Sequence, residues 1–317
     1  MATKSFSTAL LFLAIASCAL AQDVPKLVAT EMAKGQPAIV RVGPSASPGV
    51  AMTPSVIAVS SFAVTPNSTE GVNSKGERQQ LRFLFRDSVS QLSFFEQSPP
   101  TPASTVTVSQ RTPAAGSILF VESQAGQTRA QVSSPLMLVL NETSKRALPM
   151  MQVDFADAAL PSVGSVFFDH SGDLVGFLTA VAASPRTSAN LRSTLRGSQF
   201  TPAEVAVGFV SSPLIMQHVL RSLEAKLPRI EYPYVGLFTS DYMGVGVRVQ
   251  SVEPRSPAWV GGMQPGDIIT RIGLVPVPNV TEFTRAIWLL NPGEMVRFEF
   301  KRGTRTFTAS IIVSRTG

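Results

Sequence analysis

Side chains that could serve as nucleophile, general base or metal ligand are scarce in this chain of 317 residues. It has two histidines, His170 and His218, and one cysteine, Cys18. Zinc sites draw mainly on cysteine and histidine, so no metal site is predicted. Ser162 and Ser165 stand in a turn-like segment, and both histidines follow them in the sequence. A serine attacks a carbonyl only when a neighbouring base takes its proton, so hydrolytic chemistry depends on where these histidines lie, or on a lysine acting as the base instead. No lysine stands out near Ser162 or Ser165.

The first residues have the composition of an export signal. Lys4 precedes an apolar run over residues 9–15, and small residues end at Ala21. This pattern predicts a signal peptide over residues 1–21, cleaved after Ala21. The protein is therefore expected to be exported, to the periplasm or the extracellular space.

A second interpretation of the same stretch leaves a membrane anchor open. Ile15-Ala16-Ser17-Cys18 resembles the lipobox that precedes a lipidated cysteine in bacterial lipoproteins. A lipidated Cys18 would hold the protein at a membrane. In both interpretations the mature chain has no free thiol, which excludes disulfides and thiolate catalysis. No later stretch reaches the ~18 consecutive apolar residues that a spanning helix needs.

Composition favours a β-rich globular body. Hydrophobic residues make up 44% of the chain and charged residues 15%, with a formal net charge of +6. The apolar residues come in short β-branched runs separated by Gly, Pro and Ser, which is typical of strands. The basic residues are scattered rather than clustered, so no nucleic-acid partner is predicted. No cofactor is predicted either.

Many short strands with turns between them are predicted from residue 37 onward, which favours a sandwich or a barrel. Ser212 as N-cap and Pro213 at the first helical position predict a helix after these strands. Residues 22–36 are predicted to form a tether, and residues 224–232 a linker. The clearest predicted strands are Ala38–Val42, Val56–Val59, Leu81–Phe85, Ser117–Val121 and Leu136–Leu140.

The C-terminal part carries the most specific motifs. After Pro233 come, in order, Tyr234-Val235-Gly236-Leu237, a short helix from Ser256-Pro257-Ala258, the turn Gly266-Asp267, a helix over Thr281–Leu290 and a hairpin around Lys301-Arg302-Gly303. In this order and spacing the motifs resemble the PDZ domains of the HtrA/Deg serine-protease family. The resemblance covers essentially all of the stretch from Pro233 to Val313, and it assigns residues 233–317 to a PDZ domain.

The residues agree with the peptide binding that this resemblance implies. The turn Tyr234-Val235-Gly236-Leu237 can direct backbone N–H groups at a peptide carboxylate, and Gly236 permits the backbone that this requires. The strand Leu237-Phe238-Thr239 would then pair with the ligand as an added strand. Phe283 and Ile287, four residues apart on the helix, could form the wall of a pocket for the ligand's last residue. Core packing is an equally good interpretation of these two side chains.

Residues 37–223 resemble, at lower similarity, the trypsin-like double β-barrel that precedes the PDZ domain in this family. The segment Asp157–Asp169, followed by Gly172–Gly176, resembles the part that carries the nucleophile, and Val205–Phe209 resembles the last strand. The resemblance implies a catalytic triad in the chain order histidine, aspartate, serine. No histidine precedes the serines in this chain, so neither serine can be activated in the family's way.

Other residues occupy the positions of the base and its orienting carboxylate. Val56–Val64 resembles the strand and turn that carry the catalytic histidine, and the histidine's position falls on Ala63, or on Phe62 if the register shifts by one. Gln91 stands at the position of the aspartate. The resemblance therefore implies a barrel that has lost both groups.

The nucleophile's position depends on the register. Counted back from the Gly172 turn it falls on Val163, which has no hydroxyl. Counted forward from Asp157 it falls on Ser165. Pro161 replaces the glycine that opens the turn in active members, and proline has no N–H. The resemblance thus implies a degenerate triad, in which Ala63, Gln91 and Val163 stand at the positions of the histidine, the aspartate and the serine.

Three functions remain open at this point. The first is a non-catalytic exported pseudoprotease whose PDZ domain binds C-termini or extended segments of other proteins, as a scaffold, a chaperone-like holder or a regulatory partner of an active protease. The second is a divergent serine endopeptidase of envelope protein quality control. The third is a structural subunit of an envelope or extracellular assembly. Family members are often trimers, so a homo-oligomer is consistent with each of them.

Overall fold

Strands dominate the part of the chain that the computed structural model describes, which belongs to one compact unit. The predicted signal peptide (1–21), the tether (22–36) and Cys18 lie outside the described residues. So do residues 157–160 and Val205 of the barrel motifs. The described residues are 39–100, 105–141, 146–155, 161–183 and 206–316.

The first six strands close into an antiparallel barrel in the order β1-β2-β3-β6-β5-β4. Closure leaves no free edge, and β-branched and aromatic side chains fill the interior. Val42, Ile57, Val59 and Phe95 are fully buried there. The strands are β1 (Ile39–Val42), β2 (Ser47–Thr53), β3 (Val56–Ser60), β4 (Glu70–Asn73), β5 (Arg78–Asp87) and β6 (Leu92–Ser98).

The next six strands close into a second barrel in the order β10-β11-β12-β9-β8-β7. Leu119, Phe167 and Leu178 lie in its core. Its longest strand, β8, forms a hairpin with β9 that extends as far as the pair Asn141 and Arg146. The strands are β7 (Ile118–Ser123), β8 (Gly126–Asn141), β9 (Arg146–Phe155), β10 (Val166–Phe168), β11 (Leu174–Ala183) and β12 (Ala206–Ser211).

Helix α1 (Pro213–Glu224) follows the second barrel and confirms the predicted cap. The Ser212 hydroxyl accepts from the N–H of Leu214 at 3.3 Å, and Pro213 occupies the first turn, where its missing N–H costs nothing. The apolar face of α1 packs into a large core cluster shared with strands of both barrels. The helix therefore packs against both barrels.

The C-terminal domain is a sheet in the order β14-β15-β16-β18-β19 with two helices, and β13 pairs separately with β20. Strand β14 is at an edge of this sheet. The elements are β13 (Tyr232–Tyr234), β14 (Leu237–Tyr242), β15 (Gly246–Val252), α2 (Pro257–Val260), β16 (Ile268–Ile272), β17 (Val275–Pro276), α3 (Val280–Trp288), β18 (Met295–Arg302), β19 (Arg305–Ile312) and β20 (Ser314–Thr316).

The predicted local motifs of this domain are present. Ser256 caps α2, and Asn279 caps α3 by accepting from the N–H of Glu282. Helix α3 ends two residues before the predicted Leu290, with Leu289 as its C-cap. Asp267 is 1% exposed and pairs with Arg302 at 2.7 Å, so the Gly266-Asp267 turn is part of the fold rather than of a binding site.

A buried aromatic cluster joins the C-terminal domain to the barrels. The rings of His218, Tyr232 and Trp288 lie 5.5–6.0 Å apart in edge-to-face arrangements. Tyr232 donates its hydroxyl proton to Asp87 at 2.6 Å, and Trp288 Nε1 donates to the carbonyl of Ala147 at 3.1 Å. Tyr232 is 0% exposed although it falls in the predicted linker, because β13 begins one residue before the predicted boundary. Both domains therefore share one packed interface.

In the ranges described above, the structure has no helix long and apolar enough to cross a membrane.

Candidate functional site

Two turns meet in the cleft between the barrels. One follows β3 and contains Ala63, and the other precedes β10 and contains Val163 and Gly164. An ideal Cβ on Gly164 would lie 2.8 Å from Cβ of Ser60 and 3.2 Å from Cβ of Ala63, at a φ of +96°. Only glycine fits this contact without strain. The predicted histidine position thus lies beside the predicted nucleophile turn, and Phe62, its alternative, is 63% exposed.

Gln91, at the predicted aspartate position, is connected to the same turns. Its φ is +59°, and its carbonyl accepts from the N–H of Ser61 at 2.9 Å. It also lines a cavity of ≈ 210 Å³ between the barrels, with Asn141 and Ser211. The structure brings the regions of Ala63, Gln91 and Val163 together. That these residues replace a triad stays a prediction.

The turn around the two serines is bonded internally. Ser165 is 0% exposed, and its hydroxyl donates to the carbonyl of Ser162 at 2.7 Å. The N–H of Gly164 donates to the carbonyl of Leu178 at 2.8 Å, and that of Ser165 to the carbonyl of Ser162 at 3.0 Å. Pro161 has no N–H. An oxyanion hole needs converging N–H groups that are free to bind, and none of these three positions supplies one.

Neither histidine is placed to act as a base for the serines of this turn. His170 is exposed in the loop between β10 and β11. His218 is 3% exposed, with Nε2 2.8 Å from the carbonyl of Trp288 and Nδ1 3.3 Å from a nitrogen of Arg221. A carbonyl only accepts and a guanidinium only donates, so Nε2 carries the proton and the ring is neutral. Burial above all lowers the pKa of His218 to about 4.

His218 is almost wholly buried because the aromatic cluster with Tyr232 and Trp288 covers the face of α1 on which it lies. Both of its ring nitrogens are engaged there. Among the described residues, no group of three or more His, Cys, Asp and Glu side chains could hold a metal ion.

The second candidate site begins at the turn before β14. Gly236 has a φ of +77°, and an ideal Cβ there would lie 2.1 Å from Cβ of Ser256. The carbonyl of Val235 accepts from Ala258 and that of Gly236 from Glu253, both at 2.9 Å. In a trans peptide the next N–H points opposite to the carbonyl. The N–H groups that follow these carbonyls therefore point away from the domain interior.

Strand β14 and helix α3 form the two sides of a groove. In the described sheet β14 pairs with β15 alone, so its outer edge is free for another strand. On α3, Phe283 and Ile287 are 5% and 8% exposed and belong to the domain core. Their remaining surface faces the groove. Both side chains therefore belong to the core and also line the groove, while their contact with a ligand's last residue stays a prediction.

A cavity of ≈ 610 Å³ occupies this groove. The structure brings together around it all the residues that the sequence predicts for peptide binding, although binding itself stays a prediction. They are Tyr234, Val235, Gly236, Leu237, Phe238, Thr239, Phe283 and Ile287.

Part of the cavity wall comes from the second barrel, which sequence reasoning missed. Leu140, Arg146 and Ala147, at the outer end of the β8–β9 hairpin, line it together with Trp288 of α3. The guanidinium carbon of Arg146 lies 5.4 Å from the centre of the Tyr234 ring. No local pattern marks these barrel residues, because their place in the groove depends on how the two domains pack.

Comparisons with known proteins agree with this architecture. The family model of the PDZ domain matches residues 217–313. A serine endoprotease from Yersinia pestis has a TM-score of 0.52 and 18% identity, with 89% of this chain and 95% of that chain covered. No curated protein sequence matches the chain.

Two structures of the HtrA-type protease AlgW are also similar. The one with a decapeptide has a TM-score of 0.56 and 15% identity, covering 86% of this chain and 83% of that chain. The one with a tripeptide has a TM-score of 0.59 and 14% identity, covering 88% and 93%. The chain thus has the HtrA-like fold that was predicted, a mainly β structure in which a trypsin-like double barrel is followed by a PDZ domain.

Proposed function

We propose that this protein is an exported, non-catalytic peptide-binding protein. Its PDZ groove captures C-termini or extended segments of other proteins, and its barrels act as a pseudoprotease body. The observation that carries the proposal is the contrast between the two sites. The groove keeps a glycine turn, a free strand edge and an apolar wall. In the described part of the cleft, neither histidine is bonded to the serines, and Pro161, Gly164 and Ser165 supply no free N–H for an oxyanion.

The geometry of the groove supports recognition of a free carboxylate. N–H groups at the turn are oriented by carbonyls anchored in the domain, so they can bind an anion without reorganising. An apolar last side chain would lie against Phe283 and Ile287. AlgW, one of the similar structures, contains a decapeptide in one case and a tripeptide in another. A bound peptide of similar length is the expected ligand here.

The geometry of the cleft supports the absence of hydrolysis. Ser165 is buried and bonded, and exposed Ser162 is in a turn that places no histidine beside it. Serine proteases need an activated hydroxyl and a donor pair for the oxyanion at once. A protein with neither can still bind extended chains.

Peptide capture is tested on the chain from Gln22 with fluorescein-labelled peptides that end in Val, Leu, Phe or Ala, by fluorescence anisotropy. Ile287→Gln puts an amide into the apolar wall and should weaken the tightest peptide about tenfold, the scale of one lost apolar contact. Leu289→Gln is the matched control, since Leu289 is 49% exposed and does not line the groove. Equal effects of the two changes would contradict the proposal, as would failure of every peptide to bind.

Hydrolysis is tested with β-casein and with a fluorophosphonate probe. We expect intact casein and no labelled band. Labelling that Ser162→Ala or Ser165→Ala abolishes would establish the divergent endopeptidase instead. A stoichiometric partner from native extract that Ile287→Gln does not release would favour a structural subunit.

A further inference from the structure

Arg146 is in an unusual position for a cation. It begins β9 in the second barrel, yet its side chain lines the PDZ groove and lies over the ring of Tyr234, the first residue of the carboxylate-binding turn. The guanidinium is therefore at the end of the groove where a ligand's terminal carboxylate is expected.

The hydrogen-bonding capacity of Arg146 is not used up. Among the described residues, its Nη2 is buried and has no hydrogen-bond partner. A guanidinium has five N–H donors, and a buried donor without an acceptor is costly. Burial lowers the pKa of Arg146, while the charge of Asp87 acts against this effect. The group remains a cation that an additional acceptor would stabilise.

Asp87 does not fill this need. Its Oδ2 accepts from the N–H and the hydroxyl of Ser90 and from the hydroxyl of Tyr232, each at 2.6 Å. The carboxylate is thus held by short bonds within the barrel–PDZ interface. It compensates the charge of Arg146 in part, but no bond between the two side chains is formed.

We propose that Arg146 is a specificity-determining residue of the groove, and that it pairs with the C-terminal carboxylate of the bound peptide. The peptide site is then composite: the PDZ turn supplies N–H groups, and the barrel hairpin supplies the cation. Guanidinium binds carboxylate in a planar, two-bond geometry that an amide cannot share. The groove should therefore discriminate strongly between a free carboxylate and a carboxamide. This inference rests on the proposed function.

The test is a cycle between residue 146 and the ligand terminus. The peptides used above are prepared as free acids and as carboxamides, and their dissociation constants are measured for wild type and Arg146→Gln. We expect about tenfold weaker binding of the acids, equivalent to ~1.4 kcal/mol. Binding of the carboxamides should change less than about twofold, so the acid-to-amide preference falls about tenfold. Arg146→Lys, which keeps the charge without the planar fork, should recover part of the preference.

Arg248→Gln is the matched control. Arg248 also stacks on a tyrosine, 4.5 Å from the centre of the Tyr242 ring, but does not line the groove. Its loss should leave the acid-to-amide preference unchanged. If wild type binds peptides and Arg146→Gln weakens acid and amide forms equally, or not at all, the role of Arg146 is refuted while the proposed function stands. If wild type binds no peptide, both fail.

Discussion

The turn at Gly236 yields the sharpest prediction about this fold. In Gly236→Ala the new methyl would start 2.1 Å from Cβ and 2.4 Å from Oγ of Ser256. Carbon atoms in contact are normally about 3.5–4.0 Å apart, so the backbone must move by more than 1 Å. The same substitution puts an L-residue at a φ of +77°.

The cost of the positive φ and the cost of the overlap with Ser256 can be measured separately within the PDZ domain. A positive φ costs an L-residue roughly 1–2 kcal/mol, and overpacking typically costs about 1–3 kcal/mol. We therefore expect Gly236→Ala to lower the free energy of unfolding by about 2–5 kcal/mol. Gly303→Ala is the control, because Gly303 has a φ of +61° with no heavy atom within 4 Å of an added Cβ. It should cost only the first part.

A second change should relieve the overlap. Ser256→Gly removes both atoms that crowd the new methyl, and glycine at an N-cap costs only a few tenths of a kcal/mol. The double variant should regain most of the overpacking cost, leaving the nearest remaining contact, Cβ of Glu253, at 3.4 Å.

Urea unfolding followed by tryptophan fluorescence measures these effects. Both tryptophans, Trp259 and Trp288, belong to the PDZ domain, so the signal reports that domain and, through Trp288, its interface with the barrels. If Gly236→Ala costs no more than Gly303→Ala, or if Ser256→Gly restores nothing, the close packing of this turn is refuted.

Three further outcomes are expected. Tyr232→Phe removes a buried hydrogen bond to Asp87 and should lower the free energy of unfolding by about 1.5–3 kcal/mol in urea titrations; unchanged stability would count against the interface. Burial lowers the pKa of His218 to about 4, so the imidazole of the unfolded chain takes up a proton first as the pH falls below about 6.5. The free energy of unfolding should therefore drop toward pH 4 by up to ~1.4 kcal/mol per pH unit. His218→Gln should flatten this pH dependence, and a curve parallel to that of the wild type would contradict the role of His218. Ser165→Ala leaves the carbonyl of Ser162 short of one donor and should lower the free energy of unfolding by about 1 kcal/mol, while casein stays intact with wild type and variant alike. Cleavage by the wild type that the variant has lost would show that Ser165 is catalytic.

The sequence predicts those parts of the molecule that local physics determines. Ser212-Pro213 marks the start of α1 because a side-chain cap and a proline in the first turn have few alternatives. Gly236 marks the turn before β14, since only glycine accepts its φ and its contact with Ser256. The proposed loss of the catalytic base also comes from the sequence, because the order of histidines and serines along the chain needs no structure.

The composite groove is not predictable in this way. Trp288 Nε1 and the carbonyl of Ala147 are 141 residues apart in the sequence, and their bond exists only when PDZ and barrel pack. From the sequence alone, Arg146 is an ordinary cation in a hairpin. Only the packing of the two domains places it over the ring of Tyr234. From the sequence alone, His218 is one residue of an amphipathic helix. The pattern of that helix does not show that an aromatic cluster covers the histidine.

The proposal that this protein binds peptides without cleaving them is tested most directly by identifying the peptides that it retains. Immobilised protein is incubated with a pool of synthetic peptides, half free acids and half carboxamides, and the retained peptides are identified by mass spectrometry. We expect full-length free acids with apolar last residues to be enriched and recovered intact. Retained fragments with new C-termini, or equal retention of acids and carboxamides, would contradict it.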